Sequence, residues 1–142
     1  MTPRGPLANG LVVDASISAA WFLPDEATPY TEAALQATAY AQVCVPALWL
    51  LEVGNLLLSA QRRRRITDAK RRELVAHAQA LRIEVDREPV AMTTLDDLAA
   101  RHALSAYDAT YLELAQRRGL PLACKDGPLM DAARRCGVQL WG

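Results

Sequence analysis

Short apolar runs alternate with helical stretches along this chain, and the alternation sets the expected fold. Residues 11–13 form the first apolar run; Asp14 ends it, and a helical pattern follows through Phe22. Pro24 closes that helix, and Pro29 can start the next, from Tyr30 to about Ala41. A second buried strand is read over 42–45, after which Pro46 opens a long helix running out into residues 61–65. Thr67 is the expected N-cap of a polar helix to about Leu81, and 83–85 gives a third short strand. Thr94 with Asp97 has capping-box spacing for a helix through Ala103. Ser105 starts another, through Arg118, which Gly119 can cap. Residues 120–124 read as a fourth strand, Gly127 and Pro128 begin a last helix that Gly137 closes, and 138–141 is a fifth. Strands this short and apolar, separated by helices, predict an α/β domain with a mostly parallel sheet and helices on both faces. Such sheets bind ligands beyond the carboxyl ends of their strands.

One acid interrupts the pattern. The helical stretch 47–59 is almost wholly apolar and is expected to be largely buried, yet it contains Glu52. Asn55 follows at i+3 and Ser59 at i+7, so the three polar side chains share one face. A buried acid needs a partner, a metal or a raised pKa. Glu52 is therefore either half of a buried ion pair with an arginine or one wall of a metal-binding site.

Three further acids have ordinary structural roles when taken singly. Asp14 can cap the helix that begins at Ala15, Asp108 can be the acidic half of a capping box begun by Ser105, and Asp126 can cap the last helix. Together they carry more weight. Asp14 and Asp126 fall at the carboxyl ends of predicted strands, whereas Glu52 lies a turn or more inside its helix and cannot be a cap. Carboxylates drawn together repel one another and call for a cation. With only oxygen ligands on offer, that cation should be hard, Mg²⁺ or Mn²⁺. Acids holding such an ion are the arrangement that phosphodiester hydrolysis uses.

Composition narrows the alternatives. A chain of 142 residues supports one domain with a single core, and its formal net charge of zero does not announce a polyanionic partner. No apolar run approaches the ~20 residues of a membrane span. Residues 1–10, with Pro3, Gly5, Pro6 and Gly10, read as a flexible tail without the apolar segment of a signal peptide. The domain is then expected over 11–142. Cys44, Cys124 and Cys136 form no Cys-x-x-Cys pair and fit reduced thiols in a cytoplasmic core. Arg62, Arg63, Arg64 and Arg65, followed by Lys70, Arg71 and Arg72, are either a solvated helix end or a phosphate-tracking patch for RNA. His77 and His102 lack a metal-ligand partner at useful spacing, which argues against zinc. No nucleotide-binding glycine motif and no Ser nucleophile elbow is present.

Four blocks of this sequence also resemble PIN-domain ribonucleases of the VapC toxin type. They are Val12-Val13-Asp14-Ala15-Ser16 continuing to Trp21-Phe22-Leu23-Pro24-Asp25-Glu26, Leu51-Glu52-Val53-Gly54-Asn55, Ser105-Ala106-Tyr107-Asp108-Ala109-Thr110-Tyr111, and Leu122-Ala123-Cys124-Lys125-Asp126. The resemblance spans residues 11–141 in the family's order. It implies a PIN-like fold with a parallel five-stranded sheet flanked by helices on both faces. It further implies that Asp14, Glu52, Asp108 and Asp126 are catalytic and gather around one or two Mg²⁺ or Mn²⁺ ions, with Ser16 and Asn55 orienting them. The activity implied is that of a cytoplasmic, metal-dependent endoribonuclease, the toxin of a toxin–antitoxin pair, acting on RNA, forming a homodimer and bound by a cognate antitoxin. One departure stands out: the family usually places Thr or Ser where this chain has Cys124, and a thiol is a weaker hydrogen-bond partner. Two other readings remain: a receiver-like phosphoacceptor domain, coloured by Lys125, and a catalytically weakened RNA-binding scaffold, motivated by Cys124 and the arginine run.

Overall fold

The computed structural model describes residues 10–142. The tail expected at 1–10 lies outside the described residues except for Gly10, which belongs to the first strand. Strand β1 (Gly10–Val13) is buried along its whole length, as an unbroken apolar run between two neighbours should be. Helix α1 (Ala15–Phe22) follows directly, and Pro24–Glu26 forms one 3-10 turn. Next come α2 (Pro29–Ala37), β2 (Gln42–Pro46), α3 (Leu48–Arg62) and α4 (Asp68–Ala80). The remainder is β3 (Ile83–Asp86), α5 (Met92–His102), α6 (Ala106–Arg118), β4 (Leu122–Ala123) and α7 (Gly127–Arg135).

The strands pair in the order β3-β2-β1-β4, all parallel, with Leu11 opposite Val43, Val43 opposite Ile83 and Val12 opposite Leu122. The expected fifth strand is reduced to a single parallel bridge between Leu122 and Leu140. Its two hydrogen bonds run from Leu122 N to Gln139 O and from Trp141 N to Leu122 O. With β4 only two residues long, its outer edge offers too few backbone groups to template a full neighbour. Helix α6 packs on β1, β2 and β4, α3 packs on β2, and α1 bridges α2 and α3. The core between them holds Leu11, Val13, Ile17, Val43, Val45, Leu57, Tyr111, Leu112, Leu122 and Leu129. Each fully buried Leu, Ile or Val side chain contributes ~1.5–3 kcal/mol.

Local chemistry sets most element boundaries. Thr28 and Thr31 form a reciprocal capping box at α2, Thr67 caps α4, Ser105 caps α6, and Gly119 closes α6 in the left-handed region at φ 63°. Three expectations need correction. Helix α2 stops at Ala37 rather than about Ala41. Pro46 is the last residue of β2, paired with Asp86, and not the start of α3. Helix α5 begins at Met92 behind Ala91, with no side-chain cap, so Thr94 and Asp97 lie inside it.

The expectation that α3 is largely buried also fails. Only the stripe Trp49, Val53, Leu57 and Ala60 is buried. Leu51 is 72% exposed, and Leu50, Leu56 and Leu58 are exposed too. One face of α3 meets the core, and the leucines of the opposite face are left largely open among the described residues.

Candidate active site

Four carboxylates from four separate elements line one cleft of about 420 Å³, together with Ser16, Asn55 and Tyr111. Asp14 is the first residue past β1 and caps α1; its Oδ1 accepts from Ser16 Oγ at 2.8 Å and from Ile17 N at 3.0 Å. Asp126 caps α7, where Oδ2 accepts from Leu129 N at 3.1 Å. Asp108 lies in the first turn of α6 behind the Ser105 cap. Glu52 projects from the second turn of α3, and its Oε1 accepts from the Tyr111 hydroxyl at 2.5 Å. Capping and site-building thus coexist. Asp14, Glu52 and Asp126 each commit one oxygen to a protein donor, and the other oxygen has no protein donor among the described residues.

The backbone behind these acids is held firmly. Trp49 Nε1 donates to the buried Ser18 Oγ at 2.8 Å, and that hydroxyl donates to the Asp14 carbonyl at 3.3 Å. This relay ties the start of α3, hence Glu52, to the start of α1. Asp14 N in turn donates to Ala123 O, so the ends of β1 and β4 move as one. Three helix N-termini, those of α1, α6 and α7, open at the cleft, and their dipole ends favour negative charge there.

Electrostatics sets Asp14 and Asp108 apart. Asp14 is 4% exposed, and burial, joined by Asp108 and Glu52 and opposed by the Ser16 and Ile17 hydrogen bonds, pushes its pKa up from 3.8 to about 6. Asp108 is raised too, by burial first and then by Asp126 and Glu52. Asp86, the chain's other buried acid, shifts the opposite way. Arg117 grips both its oxygens, at 2.7 and 3.1 Å, and holds its carboxyl below the usual range. None of the four cleft acids has a Lys or Arg in ion-pair contact among the described residues, so the arginine-paired reading of Glu52 has no support. Uncompensated carboxylates facing one another favour a cation.

The donor set fits a hard ion. Every candidate ligand is a carboxylate oxygen, and the four acids face one cleft together. Among the described residues no three His, Cys, Asp or Glu side chains are already closed around an ion position, so the acids would have to draw in toward one.

The remaining expected residues fall as follows. Ser16 touches Asp14, and Asn55 stands on the exposed rim of the cleft. Cys124 is buried behind the acids; burial, with Asp14, Asp126 and Asp108 nearby, pushes its thiol up to about 12, so it stays protonated. Ser59 does not line the cleft. Arg62 ends α3 ten residues beyond Glu52, roughly 15 Å along the helix, and Arg63 and Arg64 follow just past its end. They are exposed and form no ion pair among the described residues, whereas Arg65 is held by Asp25 at 2.8 Å and Glu26 at 3.3 Å. Tyr111 was not singled out from the sequence, although its i+3 spacing from Asp108 places both on one face of α6.

The sequence matches the PIN domain family over residues 11–134, a stretch that contains all four acids. The chain is a PIN domain. No curated protein matches this sequence at a significant level. Among solved structures, this PIN domain is similar to PAE2754 from Pyrobaculum aerophilum, with TM-score 0.67, 22% identity, and coverage of 87% of this chain and 78% of that one. It is also similar to FitAcB from Neisseria gonorrhoeae, with TM-score 0.63, 18% identity, and coverage of 93% and 96%. A toxin–antitoxin complex from Klebsiella pneumoniae matches with TM-score 0.54, 17% identity, and coverage of 82% and 86%. At these identities the likeness is one of fold. The PIN assignment displaces the receiver-like alternative, and the four-stranded parallel sheet with its flanking helices agrees with it.

Proposed function

We propose that this PIN domain is a metal-dependent endoribonuclease and the toxin of a toxin–antitoxin pair. The observation that carries the reading is the convergence of Asp14, Glu52, Asp108 and Asp126 on one cleft, with no ion-pairing Lys or Arg among the described residues. Their free oxygens would hold Mg²⁺ or Mn²⁺. Such an ion, when bound, supplies a lowered water pKa and charge neutralisation at the phosphoryl group. The chain's own residues do the positioning: Ser16 and the Ile17 amide fix one face of Asp14, and the Leu129 amide fixes Asp126. Asn55, on the rim, would help orient the acids, and Cys124 sits near the cleft as a neutral thiol.

RNA would run from the cleft along α3 toward Arg62, Arg63 and Arg64, whose free guanidinium groups suit phosphates. The Klebsiella structure is a toxin–antitoxin complex, which supports an antitoxin partner for this chain also. A homodimer is supported by the exposed leucine face of α3. Leu50, Leu51 and Leu58, with Tyr107 at the start of α6, line an apolar groove that shares Glu52 and Asn55 with the acid cleft. Patches of this kind on monomers are usually interaction sites. No helix among the described residues is long and apolar enough to cross a membrane.

The test is RNA cleavage in Mg²⁺ and in EDTA, for the native chain and for Asp14→Asn and Glu52→Gln. Cleavage that needs the metal and is lost in both variants supports the reading. Persistence of cleavage in both variants would remove it, and RNA binding without any cleavage by the native chain would favour the weakened scaffold that Cys124 suggests.

A further inference from the structure

Helix α6 contributes twice to the cleft. Asp108 lies in its first turn, and three residues on, Tyr111 projects from the same face. Tyr111 is 1% exposed, its ring enclosed in the core beside the sheet. Its hydroxyl reaches the cleft wall and donates to Glu52 Oε1 at 2.5 Å, across 59 residues of sequence. Glu52 makes no other side-chain hydrogen bond and no ion pair among the described residues. A glutamate on a partly exposed helix face has three side-chain torsions free to vary, and fixing them costs conformational entropy. The ring of Tyr111, by contrast, is immobilised by the core.

We propose that Tyr111 is a positioning residue for Glu52: its hydroxyl pins Oε1, so that Glu52 presents the single oxygen Oε2 toward Asp14, Asp108 and Asp126. The inference rests on the metal-dependent reading above. It explains why a phenol stands at this point of the core. A phenylalanine would fill the same space, and the hydroxyl adds only the contact with Glu52. It also makes α6 one rigid mount for two of the four acids, since Asp108 and the anchor of Glu52 move together.

The test is Mn²⁺ titration calorimetry on the native chain, Tyr111→Phe, Glu52→Gln and the Tyr111→Phe/Glu52→Gln double variant, with steady-state cleavage kinetics on the first two. Tyr111→Phe keeps every ring carbon, so the core volume is unchanged, and melting in EDTA checks that it folds. The expected result is an Mn²⁺ affinity lower by about tenfold or more in Tyr111→Phe, the scale of lost outer-shell contacts. KM for RNA should be unchanged and kcat reduced. In the Glu52→Gln background, Tyr111→Phe should cost nothing further, because it acts through Glu52. Native Mn²⁺ affinity in Tyr111→Phe, or losses that add fully in the double variant, would overturn the proposal while leaving the nuclease reading intact. A native chain that binds no Mn²⁺ would overturn both.

Discussion

Asp14→Asn is expected to make the metal-free protein more stable at neutral pH while abolishing its activity. In the folded chain, burial lifts the Asp14 pKa from 3.8 to about 6, even against the hydrogen bonds from Ser16 and Ile17. A raised folded-state pKa means that the folded protein holds this proton more tightly than the unfolded one. The associated stability is therefore fully present below about 3.8 and is lost as pH rises through about 6. Above that window the charged carboxylate is a standing cost, with an upper bound of about 3 kcal/mol. Asparagine keeps the Oδ1 acceptor for both donors and is neutral at every pH. Urea denaturation in EDTA at pH 7.5 should show Asp14→Asn more stable by about 1–3 kcal/mol, with the gain shrinking at pH 4. Saturating Mg²⁺ should then stabilise the native chain and leave the variant unmoved, because only the native site binds the ion. An Asp14→Asn protein that is less stable at pH 7.5, or equally favoured at both pH values, would refute the reasoning.

Three other perturbations test separate parts of the structure. Arg117→Ala frees the buried Asp86 from its two-pronged partner and should cost about 2 kcal/mol at pH 7 by urea denaturation. Because Asp86 is held below its ordinary pKa, that cost should fade as pH drops through the carboxylate range. Replacing Arg62, Arg63 and Arg64 together by Ala should weaken RNA binding and flatten its salt dependence, read as the slope of log affinity against log salt, without changing the melting temperature. Leu51→Asp, at the most exposed leucine of α3, should leave the fold unchanged and convert a dimer to a monomer by light scattering; an unchanged mass would exclude this face as the interface.

What the sequence made legible was mostly local. Asp14, Thr67, Ser105 and Asp126 announce helix starts because a cap acts within three residues of itself, and all four cap as expected. Apolar triplets located β1 and β2 because strands buried on both faces leave no polar position. Thr94 misled because its spacing to Asp97 matches a cap, while α5 starts three residues earlier than such a cap would give, at Met92, and packs on α6. The leucines of α3 misled for another reason: apolar character shows that a face wants cover, not whether this chain supplies it. Contacts between distant residues were out of reach. Glu52 with Tyr111 and Asp86 with Arg117 are separated by 59 and 31 residues, and no local pattern pairs them. The gathering of the four acids was implied by the family resemblance; that no arginine among the described residues lines their cleft needed the fold.

The central claim is that these four carboxylates hold a divalent ion. Crystals grown with Mn²⁺ and measured at the manganese absorption edge address it directly. An anomalous peak is expected inside the cleft, within about 2.0–2.3 Å of carboxylate oxygens from at least two of Asp14, Glu52, Asp108 and Asp126. A well-ordered cleft without such a peak at saturating Mn²⁺, or an ion bound only elsewhere on the surface, would contradict it.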